Sequence, residues 1–149
     1  MVLEQVALQI VRAVATDIPA LAAMNKRLIE DEGHPNPMDV AQLADRMAGF
    51  LSGEYTAFVA RQGAETVGYA LYRDDGGCYY LRHLYVERGH RRQGIAKALL
   101  DWLFGHAWVD KPVRLEVLAH NEDAIAFYRA YGFRVTSHTM EMARAPRQP

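Results

Sequence analysis

The stretch of residues 78–118 restricts the fold of this chain more than any other part of it. Residues 78–86 are aromatic and aliphatic enough for a central strand, and they lead into a basic loop that contains two glycines. Residues 95–108 then place apolar side chains on one helical face, and residues 113–118 predict another strand. Two strands that a helix connects in this way are parallel, and the helix packs on one face of the sheet through a right-handed connection.

The rest of the chain adds antiparallel strands and further helices to this crossover unit. In chain order the predicted elements are a strand at residues 9–15, a helix to about residue 32, a helix that starts at Asn36 and Pro37, a hairpin of residues 55–61 and 66–73, and, after the crossover unit, a helix at residues 121–131 and one or two strands from Phe133 onward. This order predicts a mixed α+β fold. Neither an internal repeat nor a linker divides the sequence, so we expect one domain over residues 1–149, with residues 145–149 as a frayed tail.

The composition excludes several classes of protein. The 149 residues include 17 Lys and Arg against 18 Asp and Glu, and this balance gives no general case for binding nucleic acid. No apolar run approaches the ~20 residues of a membrane span, and the N-terminus lacks the pattern of a signal peptide. The single cysteine, Cys78, forms neither an intrachain disulfide nor a metal cluster alone, which favours the reducing cytoplasm. The histidines have no metal-ligand spacing, so we expect no metal site.

The positive charge of this neutral chain is concentrated in one loop. Its basic residues follow the predicted central strand, in the loop and in the first turn of a helix that begins near Gly94, and they are Arg88, Arg91, Arg92 and Lys97. The first N–H groups of a helix have no partner within the helix, and the helix dipole adds positive charge at the same end. Gly94 allows a phosphate to approach the backbone without interference from a Cβ atom. The order of strand, basic loop and helix therefore favours an anion site over an ordinary solvated loop.

Two short motifs narrow the choice of phosphate ligand. The Gly-Lys-Ser/Thr of the Walker loop and the G-x-G-x-x-G of dinucleotide-binding proteins are both absent. The loop instead reads R-x-x-G-x-A from Arg91 to Ala96, and N-x-x-A-x-x-F-Y-x-x-x-G-F follows from Asn121 to Phe133. In this order the two motifs resemble the GNAT superfamily of acetyl-CoA-dependent N-acetyltransferases, and the resemblance covers residues 9–142. Ala96 stands where many members have glycine.

The resemblance implies a three-layer fold and a place for acetyl-CoA. The sheet would be mixed and mostly antiparallel, with a splayed parallel pair of strands that admits the cofactor. The diphosphate would bind Arg91, Arg92 and the backbone amides of Gln93, Gly94, Ile95 and Ala96. The pantetheine arm would lie along Leu84, Tyr85 and Val86 as an additional strand, where a backbone N–H would also stabilise the oxyanion. Asn121 would either contact the pantetheine or cap the last helix.

Tyr128 resembles the general acid of the family, the residue that protonates the departing thiolate. A phenol with a pKa of about 10 can give its proton to a thiolate whose conjugate acid has a pKa of about 8.5 when the site is dry and well ordered. The alternative is a core tyrosine beside Phe127 and Phe133. Many relatives also carry a carboxylate base on the central strand, where this chain has Arg82 and His83 instead.

The candidates for binding or activating the acceptor amine are Arg82, His83 and the end of the first helix. His83 is either a base, or a residue that orients water, or a structural histidine. Arg82 either binds a carboxylate or phosphate of the acceptor or pairs with a nearby acid. The run from Glu30 to His34 lies where the implied fold places the acceptor cleft. Its three consecutive acids, Glu30, Asp31 and Glu32, suit a cationic amine, and Glu30, Glu32 and His34 are the candidate contacts; the alternative is a solvated helix end. Together with Arg82 they fit a zwitterionic small molecule.

The resemblance as a whole implies an N-acetyltransferase that moves the acetyl group of acetyl-CoA to a primary amine of a small molecule by direct attack in a ternary complex. Two alternatives stay open: acetylation of a protein or peptide amine, and a CoA-binding sensor domain without turnover. Members of the family are often dimers, so a homodimer is a further expectation, and no membrane or nucleic-acid partner is expected.

Overall fold

Five strands form a single sheet, and they lie in it in chain order. The computed structural model describes residues 7–145, and the sheet belongs to the first of two compact units, Met1–Leu118. The strands are β1 (Leu8–Arg12), β2 (Tyr55–Gln62), β3 (Glu65–Asp74), β4 (Tyr79–Val86) and β5 (Val113–Leu115). The first four pair antiparallel, whereas β4 and β5 are parallel, which confirms the mixed sheet predicted from the crossover unit.

Helices lie in two of the connections between these strands, from β1 to β2 and from β4 to β5. They are α1 (Ile18–Glu32), α2 (Val40–Ser52) and α3 (Ile95–His106), with single 3-10 turns at Ala15–Asp17 and Arg88–His90. The second helix begins later than the break at Asn36 and Pro37 predicts, because Asp39 and Gln42 form a capping box. The Asp39 carboxylate accepts a hydrogen bond from the Gln42 N–H at 2.8 Å, and the Gln42 side chain accepts one from the Asp39 N–H at 2.9 Å. None of the helices described within residues 7–145 combines the length and apolar character needed to cross a bilayer.

The helices cover the sheet on both faces, so the first unit has three layers. On one face α1 and α2 contribute Leu21, Met24 and Met47 to a core with Tyr69 and Tyr85 of the sheet, all at most 3% exposed. On the other face the buried side chains of α3 pack on the sheet, and this cluster contains Ala60, Val67, Val86, Ile95 and Leu99. The three-layer fold implied by the motifs is therefore confirmed, and β4 lies between the two cores.

The second unit, Ala119–Pro149, is described to residue 145 and contains one helix, α4 (Glu122–Tyr131). Asn121 caps it, because its side-chain oxygen accepts a hydrogen bond from the Ala124 N–H at 3.3 Å. Gly132 ends it with φ at 130°. The prediction of strands from Phe133 onward is wrong for the described residues, since 133–145 have no strand pairing. Phe133 and Val135 alternate with polar residues as in a strand, but a strand also needs a neighbour to pair with, and this unit supplies only a helix.

Candidate active site

The loop between β4 and α3 presents the start of a helix to solvent. Gly94 precedes the first helical residue, Ile95, with φ at 77°, a left-handed conformation that favours glycine. A Cβ atom at Gly94 would meet no atom within 4 Å, so the space above the backbone is open. Arg92 also has a positive φ, of 64°, which is uncommon for a residue with a side chain. The loop thus has the backbone shape expected of an anion site, and a strained residue lies at its centre.

Two arginines of this loop, Arg88 and Arg91, bind the end of α1. Arg91 donates to the Asp31 carboxylate at 2.6 Å and, through Nε, to the Val86 carbonyl at 2.9 Å. Arg88 pairs with the same carboxylate. Burial opposes ionisation of Asp31, but the hydrogen bonds from Arg88 and Arg91 outweigh it and hold the pKa of the carboxyl below its ordinary value. A phosphate that binds Arg91 therefore competes with Asp31 for the guanidinium group.

Arg92 differs from its neighbours in the loop. Over residues 7–145 its side chain makes neither an ion pair nor a hydrogen bond, whereas Lys97 pairs with Asp101 one helical turn further on, at 2.8 Å. Arg92 is thus the loop cation that can meet a phosphate without breaking an existing contact.

The open edge of β4 lies beside this loop. The described pairing between β4 and β5 covers three positions and stops at Leu81 and Leu115, although residues 113–118 predict a longer strand. Among the described residues the pairing does not continue beyond this point, as is expected where a parallel pair splays. Leu84 is half-buried and Tyr85 and Val86 are buried, so the side chains of this segment pack in the cores, and its backbone has no described strand partner on the β5 side. Such an edge can accept an extended ligand as an additional strand.

A β-bulge turns two successive side chains of β4 to the same face. Leu71 pairs with His83 and Tyr72 pairs with Leu81, so Arg82 is the extra residue. The Arg82 guanidinium lies 4.9 Å from the centre of the Phe50 ring on α2, and His83 lies against Tyr69 on the same side of the sheet. The sequence shows no sign of this bulge, because the segment has no glycine or proline to mark it.

His83 is buried and faces a positive environment. Its Nδ1 lies 3.1 Å from the Tyr69 hydroxyl oxygen. Burial, and then the charges of Arg82 and Arg46, lower the pKa of His83 to about 3. The imidazole is therefore neutral at pH 7 and holds a proton weakly. These observations favour the structural alternative for His83 over a general base, which stays a prediction.

We expect the imidazole resonances of His83 to stay constant between pH 8 and pH 5 in an NMR titration, because the pKa of His83 is about 3 in the folded protein. The ordinary pKa of a histidine, which applies in the unfolded chain, is 6.5. The unfolded chain then binds a proton below about pH 6.5 that the folded chain refuses until about pH 3, so this residue lowers the free energy of unfolding as the pH falls through that window. His83→Gln should remove this part of the pH dependence. A midpoint for His83 between pH 6 and 7 would contradict the burial argument.

The acids at the end of α1 do not act as one patch. Successive residues of a helix point about 100° apart, so Asp31 reaches the basic loop while Glu30 is exposed and Glu32 is half-buried. Burial raises the pKa of Glu32; His34 opposes the rise and Asp31 adds to it. His34 is exposed just beyond Gly33, which ends the helix with φ at 63°. Glu32 is therefore the acid of this run whose carboxyl is partly buried, whereas Asp31, predicted with the other two acids to serve the acceptor, pairs with the arginines of the loop.

The second unit contains the remaining candidates. The Asn121 side chain serves as the cap of α4 described above. The Tyr128 ring packs against Phe127 and Phe133, with ring centres 5.3 Å and 5.5 Å away, as the core alternative expects. Its role as an acid stays a prediction.

Solved structures resemble this chain over nearly its whole length. A possible acetyltransferase from Clostridium difficile 630 is 19% identical with a TM-score of 0.78, and the match covers 97% of this chain and 100% of that one. The aminoglycoside N-acetyltransferase AAC(6')-Iy, solved in complex with CoA, is 15% identical with a TM-score of 0.76 over 97% and 99% of the two chains. The ribosomal-protein-alanine N-acetyltransferase of Brucella melitensis biovar Abortus 2308 is 19% identical with a TM-score of 0.71 over 93% and 100%. At these identities the likeness shows a shared fold.

A comparison with curated proteins finds none that matches. The model of the acetyltransferase (GNAT) domain family, however, matches residues 22–149, which is most of the chain and includes both motifs. The resemblance carried by the two motifs is thereby confirmed, and the chain belongs to the GNAT family of acetyltransferases.

Proposed function

We propose that this acetyltransferase uses acetyl-CoA to acetylate a primary amine of a small molecule, by direct attack in a ternary complex. The observation that carries the proposal is the basic loop with its open backbone at Gly94, directly beside a part of β4 that has no strand partner on its β5 side in the described residues. Phosphates and an extended pantetheine arm need these two features next to each other. The related aminoglycoside N-acetyltransferase was solved with CoA, which supports the same donor here.

In the proposed complex the diphosphate contacts the backbone amides of residues 93–96 and the side chain of Arg92. Arg91 joins them after it exchanges Asp31 for a phosphate oxygen. The pantetheine arm pairs with the backbone of residues 84–86, and an N–H of this segment donates to the thioester oxygen as negative charge develops there.

The chemical step forms one bond and breaks another. The acceptor amine is protonated at neutral pH and first loses a proton to solvent water. The neutral nitrogen then attacks the thioester carbon, the C–N bond forms and the C–S bond breaks, and Tyr128 gives its proton to the departing thiolate. The nitrogen releases a second proton to water as the amide forms, and Tyr128 regains a proton from water. The pKa of His83 is about 3, so we do not assign it as the base that accepts a proton from the amine. We assign it instead to orienting the group to which it is hydrogen-bonded, the Tyr69 hydroxyl.

The test is release of free thiol from acetyl-CoA in the presence of amines. We expect turnover with a panel of small primary amines, and Arg92→Gln should raise the Kd for CoA about 10-fold, because it removes a charge-assisted hydrogen bond to phosphate. Arg12→Gln is the matched control, since Arg12 is exposed on β1 and two strands, β2 and β3, lie between β1 and the strand that leads into the loop. Equal loss of affinity in both variants would argue against the assigned loop.

Acetylation of a peptide amine is the second candidate, and the fold shared with a ribosomal-protein-alanine N-acetyltransferase favours including it. Peptides with a free N-terminal alanine belong in the same assay. Faster thiol release with peptides than with every small amine would replace the first candidate, and CoA binding without thiol release would identify a sensor domain.

A further inference from the structure

Three arginine side chains alternate with three aromatic rings at the end of α2 and on the adjacent strands. Arg46 lies 5.3 Å from the centre of the Phe50 ring, and Arg82 lies 4.9 Å from the same ring and 5.8 Å from that of Tyr55. Arg73 follows, at 5.5 Å from Tyr55 and 4.9 Å from Tyr80. We call this set of six side chains the arginine–aromatic ladder. Each cation–π contact holds a guanidinium group in place without neutralising its charge.

The arginines of the ladder differ in how their charges are balanced. Arg73 forms an ion pair with Asp75 at 3.3 Å. Arg46 donates to the neutral amide oxygen of Asn25 at 3.0 Å, and Arg82 donates to the Tyr55 hydroxyl at 3.3 Å. In the part of the chain that the structure describes, neither Arg46 nor Arg82 has a carboxylate within ion-pair distance.

The two unbalanced charges act on each other and on their surroundings. Burial and then the charge of Arg82 lower the pKa of Arg46, and both guanidinium groups lower the pKa of His83. The Nε atom of Arg46 is buried and has no hydrogen-bond partner in the described residues. Two like charges held together with a buried donor unpaired are unfavourable unless an anion completes the site. Arg82 is exposed, so an anion can reach it from solvent.

We infer that Arg46 and Arg82 form a subsite for a carboxylate of the acceptor, so that the substrate is an amine that also bears a carboxylate. This inference rests on the proposed function, in which acetyl-CoA pairs with the backbone of residues 84–86. That segment begins two residues after Arg82 on β4. A carboxylate at the bulge would hold its amine beside that segment. Glu32 acts on the same Tyr69 as Arg46, and Glu116 acts on the same Tyr80 as Arg82. These two acids weaken the positive field of the arginines, and this disfavours a doubly charged phosphate more than a singly charged carboxylate.

The test compares amines that differ in one group. An amino acid, its carboxamide, its decarboxylated analogue and an aminoalkyl phosphate of similar length are assayed by thiol release from acetyl-CoA. We expect kcat/KM for the carboxylate to exceed that for the carboxamide about 10- to 100-fold, as hydrogen bonds to charged groups allow. In Arg46→Gln and in Arg82→Gln this ratio should fall to within about threefold of one, and Arg82→Lys should keep part of it.

Arg73→Gln is the matched control, because Arg73 belongs to the same ladder but its charge is already balanced by Asp75. It should keep the carboxylate preference of the unaltered protein. Thermal unfolding of all variants separates a lost preference from a lost fold. Equal rates with and without the carboxylate, or a preference for the phosphate, would overturn the inference and leave the proposed function standing. Failure of every amine to release thiol would overturn the proposed function itself, and the inference with it.

Discussion

Replacing Tyr128 by phenylalanine should lower kcat about 100-fold and leave the Kd for CoA within about twofold of its original value. The substitution removes the hydroxyl that we propose protonates the departing thiolate, and general acid catalysis contributes about 10²- to 10⁴-fold. It keeps the ring, whose contacts with Phe127 and Phe133 hold α4 to the segment that follows it. Single-turnover thiol release and equilibrium CoA binding measure the two quantities separately.

Tyr131→Phe provides the comparison for this experiment. Tyr131 lies on the same helix three residues further on, and its ring also contacts Phe133, with centres 6.1 Å apart. Loss of its hydroxyl should leave kcat nearly unchanged. A similar fall in both variants would point to packing of α4 rather than proton transfer, and an unchanged kcat in Tyr128→Phe would remove the acid from the mechanism.

Gly68→Ala should destabilise the protein by about 1–3 kcal/mol, because it inserts a methyl group where β3 and β4 touch. A Cβ atom at Gly68 would lie 2.6 Å from the Tyr85 carbonyl oxygen and 3.4 Å from the Val86 Cα atom. Both of these atoms are backbone, so relief requires β4 itself to move. Residues 84–86 are the segment that we assign to the pantetheine arm, so the affinity for CoA should fall together with the stability.

Denaturant unfolding of Gly68→Ala and Gly49→Ala tests this prediction. Gly49 lies in α2, and a Cβ atom there would meet no atom within 4 Å, so its replacement should stabilise the protein by about 0.5–1 kcal/mol. The two variants add the same methyl group, one in a helix where space is open and one in a strand where backbone atoms already occupy it. Equal free energies of unfolding for both would show that the contact between β3 and β4 is looser than described.

The fold was largely predictable, because most of its elements are marked by local signals. Pro19 at the start of α1 and Gly33 at its end, and the turn between β2 and β3, are visible in the sequence alone. The boundaries that differ depend on other information. The start of α2 depends on the reciprocal hydrogen bonds between Asp39 and Gln42. The prediction of a strand from Phe133 was wrong because alternating apolar and polar residues indicate the two faces of a strand but not the strand with which it pairs.

The candidate site was less predictable, because its electrostatics come from residues that are distant in sequence. Arg91 and Asp31 form an ion pair across 60 positions, so the sequence gives the charges of the loop and of α1 without showing that they meet. The bulge at Arg82 depends on how β3 and β4 pair, and the environment of His83 depends on Arg46 of α2. The motif of the loop, by contrast, is contiguous and could be recognised directly.

The open edge of β4 has a consequence for how this protein behaves in concentrated solution. Backbone groups that can pair with a pantetheine arm can equally pair with a strand from another polypeptide, and exposed strand edges are common starting points of aggregation. Arg91 already covers one of these groups by donating to the Val86 carbonyl. A cofactor bound along residues 84–86 would cover the others, so the same contact that positions an acetyl group would also keep neighbouring molecules from associating through this edge.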